Sequence, residues 1–174
     1  MADAQLGVMD LLMFDTFPGG IDERCQPMDL KTLGTGSGHN VATPMYPVGA
    51  KIRVHRRIGR DHRLPGNAAD WERVFMNLLL NAAQAMKDRD SGDIEICSRV
   101  EDEHLVIEVI DNGPGIDEAI LPKIFTARFS TRSKHAGLGL HIVRTLVEAN
   151  GASVSAANRE SASGAVFTIR APMA

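Results

Sequence analysis

The stretch Arg73-Val-Phe-Met-Asn-Leu-Leu-Leu-Asn-Ala-Ala-Gln-Ala-Met86 decides how the rest of the chain is read. From Ala69 to Lys87 there is no Gly or Pro, and Trp71, Val74, Phe75, Leu78, Ala82, Ala85 and Met86 recur at helical spacing, which predicts an amphipathic helix with one face in a core. Asn77, Asn81 and Gln84 fall on a second stripe, with Arg73 a turn before and Asp88 a turn after, so their side chains are neighbours in space. Such a stripe faces either water or a ligand, and the helix alone does not choose between them.

Working outward, Lys51–Arg57 alternates as a strand before this helix. After it, Asp93–Val100 and His104–Asp111 alternate around the charged turn Glu101-Asp102-Glu103, as a hairpin does. A long Gly-rich connection, 112–137, follows, with one short helix expected near Glu118–Ile124. A second helix is expected over Leu138–Ala149, with Ile142, Val143, Leu146 and Val147 inward and Asn150-Gly151 as its cap. Strands at Ala152–Asn158 and Ala165–Ala171 flank the polar turn Arg159–Gly164. About five strands and two or three helices predict an α/β fold, a two-layer sandwich with helices on one face of a mixed sheet.

The N-terminal part reads differently. Leu6, Met9, Leu12 or Met13, and Phe17 suggest a short amphipathic helix that needs a partner, ended by Pro18-Gly19-Gly20, and 31–49 is rich in Gly, Ser, Thr and Pro, as a linker is. The expected division is therefore an N-terminal segment, 1–49, and a compact domain, 50–174.

Bulk properties narrow the function classes. A chain of 174 residues with 44% hydrophobic content can build a core, and a net charge of −3 gives no reason to propose nucleic acid or anionic lipid as the main partner. The basic run Arg53–Arg63 can be a strand edge and a loop. Cys25 and Cys97 lack metal-site spacing and favour reduced thiols in the cytoplasm, and neither a membrane span nor a signal peptide is expected.

Two glycine motifs carry chemistry. In Val109-Ile-Asp-Asn-Gly-Pro-Gly-Ile116 a strand ends on Asp111, followed by Gly113 and Gly115. A carboxylate there can accept a hydrogen bond from the amino group of a planar ligand while the glycines admit close backbone approach, or Asp111 can simply cap a turn. In His135-Ala-Gly-Leu-Gly-Leu-His-Ile-Val143, Gly137 and Gly139 open a helix, whose free N–H groups and positive dipole end attract phosphate, although glycine can equally serve as a flexible entry. Between them Arg128, Arg132 and Lys134 lie on a loop of the length kept for lids. Together with the asparagine stripe these features suit a purine with a phosphate tail and a metal, since an amide oxygen is a hard neutral ligand for Mg²⁺.

Taken in order, the segments resemble the ATP-binding catalytic domain of sensor histidine kinases, in the Bergerat-fold superfamily that also holds gyrase, Hsp90 and MutL. Residues 77–86 resemble the N box, 111–116 the G1 box, 123–131 the F box, and 137–143 the G2 box with a Gly-rich ATP lid before it; 164–172 resemble the closing strand. The resemblance implies ATP and Mg²⁺ as ligands, with Asn81 on the metal. It further implies that Asp111, Gly113, Gly115 and Ile116 serve the adenine end, and that Gly137, Leu138, Gly139 and Leu140 serve the phosphates. Arg132 would take the place of a lid lysine, and Phe125 and Phe129 would anchor the lid.

Asn77 stands where ATP-hydrolysing members of the superfamily carry a general-base glutamate; an amide cannot take that proton, so transfer to an external nucleophile is expected over hydrolysis. The implied activity is phosphoryl transfer to a histidine on a dimerisation domain and onward to a response regulator, with the parent protein a homodimer. His39-Asn-Val-Ala-Thr-Pro44 departs from the acceptor-bearing H box: Asn40 replaces its acidic residue, and the flanks are Gly-rich. The acceptor is therefore expected outside this chain. Leu11–Phe17 and Cys25–Leu30 resemble the exit of the dimerisation hairpin. His135 replaces the first glycine of the G2 box, and Asn67 replaces a helix-capping aspartate. Two other functions share these boxes: an adaptor that keeps the fold without using ATP, and a serine kinase of the anti-sigma-factor type.

Overall fold

Lys51–Arg57 does form a strand, and its partners define a six-stranded mixed sheet. A computed structural model describes residues 27–28, 51–59, 62–127 and 138–173. In chain order the elements are β1 (Pro27–Met28), β2 (Lys51–Arg57), α1 (Ala68–Ala85), β3 (Ser91–Glu101), β4 (His104–Asp111), a 3₁₀ turn (Leu121–Lys123), α2 (Gly139–Ala149), β5 (Ser153–Asn158) and β6 (Ala165–Pro172). Their order across the sheet is β1-β2-β3-β4-β6-β5. β2 and β3 run parallel, with α1 as the crossover between them, and every other pairing is antiparallel. The two-residue β1 adds to the sheet beside β2, with Pro27 opposite Arg53 and Met28 opposite Ile52.

α1 starts where Asn67 caps it, its Oδ1 accepting from Ala69 N at 2.9 Å. Its buried residues are Trp71, Val74, Phe75, Leu78, Leu79, Ala82 and Ala83, a slightly wider face than the periodicity marks, because the helix lies in a groove between the sheet and α2. The sheet supplies Ile94 and Ile96 from β3, Leu105, Ile107 and Val109 from β4, and Phe167, Ile169 and Ala171 from β6, all in one core cluster with the helices. Each large aliphatic or aromatic side chain so buried contributes about 1.5–3 kcal/mol.

The opposite sheet face carries charge in cross-strand pairs, among them Arg53 with Asp93, Arg57 with Glu95 and Arg99 with Glu108. Arg53, His55 and Arg57 of the basic run are in this way spent on sheet pairs. The β3–β4 hairpin closes through Asp102 and Glu103, both with positive φ.

On α2, Val143 and Val147 are buried, and Leu140 and Leu146 pack against the core. Ile142, expected inward, is only half-buried and does not join that cluster, whereas Leu140, next to Gly139 where α2 approaches Asn77 of α1, does. Asn150 and Gly151 end the helix as expected, Gly151 at φ +73. The short helix expected near Glu118–Ile124 is a single 3₁₀ turn. The N-terminal helix and the 31–49 linker lie outside the described residues.

Candidate nucleotide site

Asn77, Asn81 and Ala85 stand one turn apart on the same line of α1. Both glycine motifs meet that line. At Gly139, the first residue of α2, an added Cβ would come within 3.1 Å of Asn77 Oδ1; at Gly113 it would come within 3.4 Å of Ala85 Cβ. The two approaches are eight residues apart, about 12 Å along the helix, and Asn81 lies midway between them. Asn77, Asn81 and Gln84 are all half-buried, whereas Arg73 and Asp88 at the two ends of the stripe are exposed. Asn77 Nδ2 donates to Arg73 O at 2.7 Å, while the Asn81 side chain makes no hydrogen bond among the described residues.

Asp111 is 3% exposed, a charged group at the end of β4 on the core side of the sheet. Its Oδ1 accepts from Gly113 N at 2.8 Å and from Ala165 N at 3.3 Å, whereas Oδ2 has no partner among the described residues. Burial pushes its carboxyl above the ordinary value, opposed by those two N–H donors and by the Arg159 and Arg89 guanidinium groups. An acceptor with one oxygen locked and one left over is suited to a single incoming donor. Gly115 sits at φ +85, a conformation that carries the chain out of the turn and brings Ile116 against β5.

The start of α2 supplies the opposite charge. Leu138 precedes the helix, its carbonyl accepting from Ile142 N at 2.8 Å, and among the described residues no side chain caps the first turn. The N–H groups of that turn are available to an anion. Behind it, Phe125 packs edge-on against Phe167 with ring centroids 6.4 Å apart, and its carbonyl lies 3.3 Å from His141 Nδ1. Gly137, Arg128, Phe129, Arg132, Lys134 and His135 lie outside the described residues, as does His39.

The structure adds residues that motif reading passed over. Asn158, from the end of β5, donates to and accepts from the backbone of Ile116, and Ser163 donates to Gly113 O. On the other flank, Asn112 Oδ1 accepts from Asp93 N at 2.9 Å, Asn112 Nδ2 donates to Asp93 Oδ2 at 3.1 Å, and Arg89 donates to Asn112 O. Asp93 is itself held by Arg53 at 2.7 and 2.9 Å, which pulls its carboxyl down to about 2. The partners are 19 to 50 residues apart in the chain, and an Asn-Arg-Glu turn carries no signal that would single them out.

Residues 66–174 match the family described as histidine kinase-, DNA gyrase B-, and HSP90-like ATPase. The chain belongs to that family. For a member of this ATPase family, ATP is the implied ligand. Among its relatives, the C4-dicarboxylate transport sensor protein DctS of Rhodobacter capsulatus is 35% identical over 132 residues, 73% of this chain and 20% of DctS. Sensor histidine kinase ZraS of Escherichia coli is 32% identical over 151 residues, 85% of this chain and 31% of ZraS. The chain thus spans a third or less of the length of these relatives. The solved catalytic domain of histidine kinase ThkA, 31% identical, superposes with a TM-score of 0.61 over 70% of this chain and 78% of that one. ThkA has also been solved in complex with the response regulator protein TrrA; that ThkA chain is 30% identical, with a TM-score of 0.58 over 71% of this chain and 34% of its own length.

Proposed function

We propose that this ATPase-family chain is the catalytic unit of a sensor histidine kinase: it binds Mg-ATP between α1, the 111–116 turn and the start of α2, and donates the γ-phosphoryl group to a histidine outside the chain. The observation that carries this is the alignment of three different binding groups along one face of α1. Asp111 Oδ2, unpaired among the described residues, lies at the Ala85 end, the start of α2, without a side-chain cap among them, at the Asn77 end, and the Asn81 amide, without a hydrogen bond among them, between the two. An adenine amino group would donate to Asp111 Oδ2 beside Gly113, Gly115 and Ile116. Leu138, Gly139 and Leu140 would offer their backbone N–H groups to the phosphates, with Gly137 preceding them.

The residues present fit a magnesium ion, because Asn81 offers an amide oxygen that no described residue engages. When bound, Mg²⁺ would neutralise charge on the phosphate oxygens. Asn77, turned to Arg73 O and beside Gly139, offers no base to activate water, which supports transfer over hydrolysis. In the transfer the bond from the γ-phosphorus to the bridging oxygen breaks, a bond to the acceptor imidazole nitrogen forms, and ADP leaves; the protein contributes position and charge. Arg132 in the lid is proposed to face the γ-phosphate.

On this reading 50–174 forms the ATP-binding unit, and 1–49 leads into it from a histidine-bearing dimerisation domain, with β1 resting on the sheet. The parent would act as a homodimer in the cytoplasm and pass phosphate to a response regulator, as the ThkA–TrrA complex suggests by analogy. No helix among the described residues is long and apolar enough to cross a membrane. An adaptor that ignores ATP would leave Asp111 buried with half its carboxylate unused. The relatives are sensor kinases, which favours histidine over serine as acceptor.

The test is calorimetric titration of a non-hydrolysable ATP analogue, AMPPNP, with and without Mg²⁺. Binding strengthened by Mg²⁺, with that strengthening abolished in Asn81→Ala, is expected. No binding by the unmutated protein would defeat the proposal.

A further inference from the structure

The 111–116 turn does not hold its own shape. Gly113 N ties it internally to Asp111 Oδ1, and other backbone groups are met from outside the turn: Asn112 N donates to Asp93 O, and Asn112 O accepts from Arg89. The end of β5 and the β5–β6 turn meet those of Gly113 and Ile116. Asn158 accepts from Ile116 N and donates to Ile116 O, each at 2.7 Å, so one amide satisfies both backbone groups of one residue. Ser163 Oγ donates to Gly113 O. Ala165 N donates to Asp111 Oδ1 at 3.3 Å. Gly164, at φ +131, lies so close that an added Cβ would stand 1.9 Å from Asp111 O, and Arg159 N closes the β5–β6 turn on Gly164 O at 3.1 Å.

We infer that the β5–β6 turn is the positioning element of the nucleotide site, with Asn158 and Ser163 as positioning residues that act through the backbone of Gly113 and Ile116. The inference rests on the Mg-ATP reading above. Its physical content is that Asp111 must keep Oδ1 committed to the protein if Oδ2 is to point at a ligand. That commitment requires Gly113 N and Ala165 N to stay in place. Ala165 is the first residue of β6, where the β5–β6 turn ends, and Gly113 is held to that turn by Ser163. Asn158 fixes the far end of the same turn, beyond the positive-φ Gly115, where an added Cβ would come within 2.9 Å of Asn158 Oδ1. Neither side chain is aligned on the α1 face where the ligand would lie, so neither is proposed to touch it. A displacement of the turn by about 1 Å suffices to cost ten- to hundredfold in a function that depends on placement.

The experiment titrates AMPPNP with Mg²⁺ into Asn158→Ala, Ser163→Ala and Ser163→Thr, with Asn67→Ala as a control that weakens the α1 cap far from the turn. Each is measured well below its own melting temperature. Asn158→Ala is expected to raise Kd by about tenfold or more. Ser163→Ala should raise it as well, Ser163→Thr, which keeps the hydroxyl, should restore it, and Asn67→Ala should lower Tm and leave Kd alone. An unchanged Kd in folded Asn158→Ala and Ser163→Ala overturns the inference. So does an equal rise in Asn67→Ala, since general destabilisation would then account for everything. Should Asn158→Ala fail to fold, the Ser163 pair decides, because Ser163 is exposed. If the unmutated protein binds no AMPPNP, the Mg-ATP reading itself has failed; if it binds and the variants bind alike, only the positioning role has.

Discussion

Replacing Asp111 by Asn should separate stability from ligand binding in a way that few other substitutions can. The carboxylate is 3% exposed, and burial raises its pKa in spite of two backbone N–H donors. The folded protein therefore holds a proton there more readily than the unfolded chain does. The sign follows: above the folded pKa the buried charge costs stability in full, and the cost fades as pH falls through the folded pKa toward the unfolded one. An Asn amide oxygen can still accept from Gly113 N and Ala165 N, so Asp111→Asn removes the buried charge and keeps both bonds. At neutral pH the variant should melt at or above the temperature of the unmutated protein, with the difference shrinking toward acid. Binding should move the other way. The position of Oδ2 becomes an amide N–H₂, so a ligand amino group loses a bond to a charged acceptor, about 1.5–3 kcal/mol, and meets an unpaired donor, about 1–3 kcal/mol more. The sum, about 2.5–6 kcal/mol, is roughly two to four orders of magnitude in Kd. Thermal melts across pH, together with AMPPNP titrations, measure both halves. A variant that melts lower at neutral pH, or binds the nucleotide as tightly as the unmutated protein, would refute the assignment of one oxygen to the fold and the other to the ligand. In the unmutated protein, affinity should also weaken as pH falls through the folded pKa of Asp111.

Three further outcomes follow from single residues. Asn67→Ala removes the acceptor for Ala69 N at the start of α1 and should cost about 1 kcal/mol in urea titrations. Asp93→Asn should flatten the acid limb of the stability profile: its folded carboxyl is held at about 2 by Arg53, so its contribution is present above the unfolded value and lost as pH falls toward 2, and at 31% side-chain exposure that contribution is modest, about 1 kcal/mol or less. Trp71, the chain's single tryptophan, is 1% exposed and donates from Nε1 to Pro65 O at 2.7 Å. Trp71→Phe would strand that carbonyl and open a cavity, lowering stability by about 2–4 kcal/mol as read by circular dichroism.

Much of the site was legible because its parts are local. A helix with a buried face and a separate asparagine stripe, a strand ending in Asp111, and a glycine at the first turn of α2 are each set by spacing within a dozen residues. The same holds for Asn67 and Asn150-Gly151 as caps, since capping is chemistry between neighbours along the chain. Ile142 was misjudged for a tertiary reason. Its place on the helical wheel is adequate for a core position, but the packing of α2 on α1 and β5 puts Leu140 against the core instead. Asn150 shows the same limit from another side: besides ending α2 it accepts from Asn67 N at 2.7 Å and donates to Asp70 at 3.2 Å, tying the end of one helix to the start of the other.

The sequence by itself determined which residues carry donors and acceptors, which segments become helix and strand, and which face of each is apolar, because these depend on side-chain chemistry and on periods of 2 and 3.6 residues. Only the tertiary structure decided that the two glycine motifs meet α1 on one line with Asn81 between them, that Asp111 spends one carboxylate oxygen on the fold and keeps the other, and that a turn some 42 to 54 residues downstream sets the shape of the 111–116 turn. Those arrangements are created when the sheet order and the helix tilts bring distant backbone polar groups out of water together, and each such group must then find a partner that spacing along the chain does not specify.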